Sequence, residues 1–295
     1  MRAGALAACL VLAGPAGATG GMPLADVHVH YKATQAEVTS AGEAVAALVR
    51  NGVRIAVVMG TPPELALDLE GGRALTLVPF YSPYREPGDW ARWAQDASLP
   101  GRLRAALTEG RYRGIGELHF IPGFVPRWDT PVIAGVMALA AEFDVPVLVH
   151  TEFSRADYLL GLCRAHPEVR MLWAHAGGIL PVQEVARVLS SCPRVAIELS
   201  ARDPWRYVSS PITDESGRLL PAWRALVEEY FERIMVGSDP VWPVDRMDAW
   251  DEPDTGWREI DRFLAFHRAW LADLPAEIRQ AIAHGNARRW LGLAP

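Results

Sequence analysis

Lysine is nearly absent from this chain: of 29 Lys and Arg residues, Lys32 is the one lysine. Cysteine is scarce too, with three residues, Cys9, Cys163 and Cys192. No CxxC pair, GxSxG elbow, P-loop or glycine-rich nucleotide fingerprint is present, which excludes the chemistries those motifs carry. Past the N-terminus no apolar run approaches the roughly 20 residues that a membrane span requires. Excess positive charge is missing as well. A net charge of −6 and a pI near 5.8 argue against a nucleic-acid or anionic-membrane surface.

The N-terminus reads as a removable leader, residues 1–18. Arg2 gives a minimal positive start, residues 3–14 are apolar, and Ala16-Gly17-Ala18 resembles a small-residue cleavage site. The expectation is an exported protein, periplasmic or secreted, cut after Ala18. Leu6-Ala7-Ala8-Cys9 also resembles a lipoprotein signal, and a lipid anchor would require a start further upstream. Cys163 and Cys192 would remain in the mature chain. They could pair in an oxidising compartment, but the expectation is two buried free thiols.

What the chain does contain is repetition. Apolar, β-branched runs of strand length fall at 25–30, 54–59, 75–80, 114–118, 146–150, 171–175, 195–199 and 234–239, with helical periodicity between them. The first and last begin about 210 residues apart, or roughly 30 residues per βα step. Eight such units predict an α/β protein, a (β/α)8 TIM barrel forming a single domain over residues 22–295. A doubly wound sheet is the alternative, but His28 and His30 stand where its phosphate loop would be.

In such a barrel the carboxyl ends of the strands converge on one face. Those ends carry His28 and His30, Glu117, His150, His175 and Asp239: six metal-ligand types from five strands. Alternation along the first strand is expected to point Asp26, His28 and His30 the same way. Paired imidazoles with carboxylates suit a borderline divalent cation. His119, two residues past Glu117, could share its face as a substrate or supporting contact. Glu152 after strand five and Arg202 after strand seven are further substrate candidates, an arginine there being able to clamp a carboxylate. Tyr81, Tyr84 and Arg85 after strand three are equally well read as solvated or packing groups, and Glu198 as a buried structural one.

Asp26-Val27-His28-Val29-His30, Gly114-Ile115-Gly116-Glu117, His150, Ala174-His175-Ala176-Gly177-Gly178, Gly237-Ser238-Asp239 and Gly285-Asn286-Ala287-Arg288 form an ordered set. On these residues the chain, from about Pro23 to Leu293, resembles the amidohydrolase superfamily, in its branch of amidohydrolase-2 and aminocarboxymuconate-semialdehyde decarboxylase-like proteins. PHP-type phosphoesterases also begin with HxH but lack the late Gly-Ser-Asp. The resemblance implies a divalent metal, zinc foremost with manganese or another metal as alternatives, held by His28, His30, His150 and Asp239. Asp239 would also move the proton of the attacking water. His175 would be a catalytic group or a ligand to a second metal. A bridging carbamylated lysine is closed to this chain, because Lys32 lies just after strand one; Glu117 is the candidate bridge if two ions bind. The expected activity is hydrolysis of an amide, lactone or ester in a small molecule. The alternatives are decarboxylation of an unsaturated or aromatic acid, and a catalytically silent binding protein.

Overall fold

The computed structural model describes residues 21–86, 88–121, 128–151, 154–206, 210–241 and 253–294. The expected leader and Glu152 lie outside the described residues. Eight parallel strands alternate with helices: β1 (Leu24–Lys32), β2 (Val53–Thr61), β3 (Thr76–Phe80), β4 (Ile115–His119), β5 (Val147–His150), β6 (Met171–Trp173), β7 (Val195–Glu198) and β8 (Ile234–Met235). They pair in sequence order, β1-β2-β3 in one ladder and β4 to β8 in another. The two ladders meet at two seams, each spanned by an isolated parallel bridge, Tyr81 with Ile115 and Asp26 with Val236. This is the (β/α)8 barrel expected from the eight repeats.

Local sequence sets the pieces. Ser40 and Glu43 form a reciprocal capping box that starts the helix Ala41–Arg50. Thr130 caps Pro131–Glu142, where proline occupies a position whose N–H would be unpaired anyway. Side-chain alternation then sorts the strands. Ala25, Val27, Ile55, Val57, Met59, Val78, Phe80, Leu148, Leu172, Ala196 and Met235 fill the barrel interior. Their neighbours on the same strands, among them Ala56, Val58, Val147, Val149 and Ile197, pack into the larger cluster shared with the surrounding helices.

One expectation fails here. Cys163 and Cys192 are not free thiols but a disulfide, with Cα atoms 6.2 Å apart. Cys163 lies in the last turn of the helix Ala156–Ala165 and Cys192 caps Val182–Ser191. Neighbouring βα units bring these two helix ends within the span a disulfide bridges. No helix among the described residues is long and apolar enough to cross a membrane.

Candidate metal centre

The first histidines reach the centre because β1 is irregular. Its register against β2 slips by one residue between Asp26 and Val29. Before the slip Ala25 and Val27 face the interior; after it Val29 and Tyr31 join the outer cluster, which turns His28 and His30 inward. Asp26, expected on their side, is therefore out of phase with them. It is fully buried and accepts the N–H groups of Ser238 (2.9 Å) and His28 (3.3 Å), and burial pushes its carboxyl up to about 7.

Five strand ends then converge. His28 Nε2 lies 3.1 Å from His30 Nε2, 3.4 Å from Glu117 Oε2 and 3.7 Å from Asp239 Oδ1. His30 Nε2 lies 3.1 Å from Glu117 Oε2 and 3.6 Å from Asp239 Oδ1. Tetrahedral ligands on bonds of about 2.05 Å stand about 3.3 Å apart, so the His28, His30 and Glu117 atoms are spaced to share one cation, with Asp239 Oδ1 beside both imidazoles. On the other side of Glu117, His150 Nδ1 is 2.9 Å and His175 Nε2 3.7 Å from Oε1, with His175 Nε2 4.0 Å from Asp239 Oδ2. All six residues are buried. The set of imidazole nitrogens and carboxylate oxygens fits a divalent cation.

Electrostatics bind the cluster. Burial raises Glu117, but His28, His119 and His150 outweigh it and hold the carboxyl well below its usual range. Burial likewise opposes ionisation of Asp239, and His28, His175, His30 and Arg206 bring it below the ordinary value. Burial pulls His28 down, yet Glu117, Asp239 and Glu198 together lift it well above an ordinary imidazole. Burial lowers His175 and carries His119 down to about 3.

A supporting layer fixes the rings. Glu198, on β7 and fully buried, accepts from His28 Nδ1 (3.0 Å), the His175 N–H (2.7 Å) and the Ser200 N–H (2.7 Å). Ser200 Oγ donates to Glu198 Oε1 (3.0 Å) and accepts from His175 Nδ1 (2.8 Å). Both Nδ1 atoms thus carry hydrogen, and the Nε2 atoms of His28 and His175 face the centre, where a bound cation would take the place of any Nε2 proton. Burial alone would raise Glu198; the charges of His28 and His175 and these hydrogen bonds bring it down to about 2.

The strands carrying His175 and Asp239 end sooner than the apolar runs predict, at Trp173 and Met235. His175 (φ 55°) and Asp239 (φ 46°) sit instead in left-handed backbone, which side chains other than glycine seldom adopt. Three residues hold these turns. Arg202, expected at a substrate, is fully buried and donates to the carbonyls of His175 (2.8 Å), Ala176 (2.8 Å) and Leu180 (3.1 Å), and to Ser210 Oγ (2.8 Å). Arg206 donates to the carbonyls of Asp239 (3.0 Å) and Ser238 (2.5 Å), and its Nη1 lies 3.4 Å from Asp239 Oδ2. His267 Nε2 donates to the Gly237 carbonyl (2.8 Å) while Nδ1 accepts from Trp270 Nε1 (3.2 Å). Sequence reasoning missed Arg206, Ser200 and His267, which no motif marks; each reaches the site through a partner 25 or more residues away, Asp239, His175 and Gly237 respectively. His119 stands beside the centre, its ring stacked on His150 at 4.4 Å and its Nε2 3.6 Å from Glu117 Oε2.

Solved structures share this architecture. Dihydroorotase from Saccharomyces cerevisiae, in complex with 5-fluoroorotic acid, superposes with a TM-score of 0.61 at 14% identity, covering 92% of this chain and 84% of that one. A TatD homologue from Escherichia coli K12 gives 0.61 at 16%, covering 92% and 98%. A 5-carboxyvanillate decarboxylase from Novosphingobium aromaticivorans, complexed with manganese, gives 0.57 at 12%, covering 92% and 97%. Likeness at these identities establishes the fold. No curated protein matches the sequence. The family model described as Amidohydrolase matches residues 81–293, most of the barrel, and the chain belongs to that family.

Proposed function

We propose that this protein is an exported hydrolase that uses two divalent cations, zinc foremost, to direct water onto the carbonyl carbon of an amide, lactone or ester in a small molecule. The observation that carries this reading is the division of Glu117: Oε2 faces the Nε2 atoms of His28 and His30, and Oε1 faces His150 Nδ1 and His175 Nε2. A carboxylate with a histidine pair on each oxygen has the layout of a bridge. His28, His30, Asp239 and Glu117 would hold one cation, and His150, His175 and Glu117 the other. That His150 and His175 both approach Oε1, and the β1 pair Oε2, supports grouping His150 with His175.

Bound cations supply Lewis acidity and lower the pKa of water from about 15.7 towards about 7. The rest falls to the chain. Asp239 Oδ1 belongs to the ligand cluster, and its carboxylate takes the proton of the attacking water and returns it to the leaving group. Arg206 keeps that carboxylate aimed, and Glu198 and Ser200 keep both histidine rings in one tautomer. Residues 1–18 and the disulfide support export, since disulfides persist in oxidising compartments.

Elemental mass spectrometry of protein reconstituted with zinc or manganese tests the centre. About two equivalents per chain are expected; one would return His175 to a purely catalytic role and end the bridge. The manganese-complexed decarboxylase neighbour sets the comparison for the reaction. A panel of amides, lactones, esters and carboxylic acids should show water consumed; CO2 released without uptake of water overturns hydrolysis.

A further inference from the structure

We infer that His119 is no cation ligand but a neutral imidazole that presents an Nε2 hydrogen to a carbonyl or carboxylate oxygen of the bound substrate, its tautomer set by Tyr84. The inference rests on the two-cation reading of the neighbouring centre. Proximity alone would argue otherwise, since ligand atoms of Glu117, His119 and His150 all lie within 4.8 Å of one another.

Hydrogen bonding around Tyr84 decides the matter. Tyr84 is buried, and its hydroxyl stands 2.9 Å from the His119 backbone N and 2.8 Å from His119 Nδ1. The backbone N–H can only donate, so the hydroxyl accepts there. Its own hydrogen is then directed to Nδ1, the other polar atom within reach among the described residues. Burial pushes the phenol well above its usual range, so that hydrogen stays in place. With Nδ1 accepting, the ring hydrogen of neutral His119 sits on Nε2, which leaves no lone pair there for a metal.

The ring is also held still. It stacks on His150 with 27° between planes, and Trp93 Nε1 donates to the His119 carbonyl at 2.9 Å. Among the described residues the Nε2 hydrogen has no acceptor in range, because Glu117 Oε2 at 3.6 Å is too far for a hydrogen bond. The His119 side chain is 20% exposed against 3% for Glu117 and His175, so it stands on the open side of the cluster. A fixed, uncharged donor beside a Lewis-acidic centre is suited to an oxygen on which negative charge resides or develops.

The test uses the full barrel, reconstituted with zinc and labelled with 15N-histidine. Long-range proton–nitrogen correlation should show His119 as the Nε2–H tautomer, and Tyr84→Phe should turn that signal into a mixture. His119→Asn should keep the zinc content of the parent, whereas His150→Asn should lose about one equivalent. Inorganic phosphate, titrated calorimetrically as an oxyanion probe, should bind about tenfold more weakly to His119→Asn. His119→Gln, which returns an N–H near the Nε2 position, should recover part of that loss. An Nδ1–H tautomer, zinc lost with His119→Asn, or phosphate binding that is absent in the parent or equal in both proteins overturns the inference. Fewer than two zinc ions in the parent would instead count against the two-cation centre. The tautomer, read also on metal-free protein, would still decide for or against His119.

Discussion

At the scale of single residues, Glu117 and Glu198 show how position divides labour between identical side chains. Both are buried carboxylates among histidines, but Glu117 faces the Nε2 atoms of His28 and His175, whereas Glu198 holds His28 Nδ1 and the backbone N–H of His175 from behind. Glu117→Gln should therefore bring zinc from about two equivalents to one or none, measured by elemental analysis. Glu198→Gln should keep both ions at saturating zinc but weaken affinity by 10–100-fold in competition with a chelator. Asp239→Asn should abolish turnover while the circular dichroism spectrum stays that of the parent; retained activity would remove Asp239 from the proton path. Much of this inventory was legible in the sequence. His28, His30, Glu117, His150, His175 and Asp239 each terminate an apolar run, and strand ends are where a barrel collects its chemistry. Arg202 was legible as a residue near the site but not in its task, since only the folded turn shows that its guanidinium meets carbonyls from the His175 segment. The phase of Asp26 was hidden because a one-residue slip leaves the alternating pattern on either side of it intact.

At the scale of elements, the turns after β6 and β8 carry the strain, and the packing beneath them leaves no slack. A Cβ on Gly237 would lie 2.8 Å from His28 Cβ and collide with Glu198 Oε2. Gly237→Ala should thus destabilise by about 1–3 kcal/mol in chemical denaturation and weaken zinc binding at the same time. His267, on the helix Ile260–Ala272, braces the same turn from behind and makes it sensitive to acid. Burial lowers its imidazole from 6.5 to about 4. Its contribution is complete above pH 6.5 and fades as pH falls from there to 4, a loss of about 3 kcal/mol in the limit. Comparing urea midpoints at pH 7.5 and 4.5, His267→Gln should lose less stability on acidification than the parent. The ends of β6 and β8 were misjudged in the sequence for the same reason the turns matter. Nothing in Trp-Ala-His or Val-Gly-Ser-Asp announces a left-handed residue that is neither glycine nor asparagine, so the apolar pattern runs on past the point where each strand ends.

At the scale of the whole molecule, eight repeats of strand and helix were readable from periodicity alone, because each unit must cover its own apolar face. The disulfide was not, since two cysteines 29 residues apart pair only if the fold sets their Cα atoms within reach. Closing that interval removes chain entropy from the unfolded state worth roughly 3–4 kcal/mol. A Cys163→Ser, Cys192→Ser double variant should accordingly melt several degrees lower, and reductant should leave its melting temperature unchanged while lowering that of the parent. The division of the barrel into two ladders has a further consequence. His28 and His30 belong to the three-stranded ladder, while Glu117, His150 and His175 belong to the five-stranded one or the turns that follow its strands, and Asp239 follows β8. Between the ladders each seam has one isolated bridge and a few backbone hydrogen bonds, such as Val27 N–H to the Val236 carbonyl (2.9 Å) and Asp239 N–H to the His28 carbonyl (2.8 Å). Ions seated among these residues would rivet one part of the wall to the other, so that chelation would do more than silence the enzyme: it would loosen the barrel along the line where β1 meets β8.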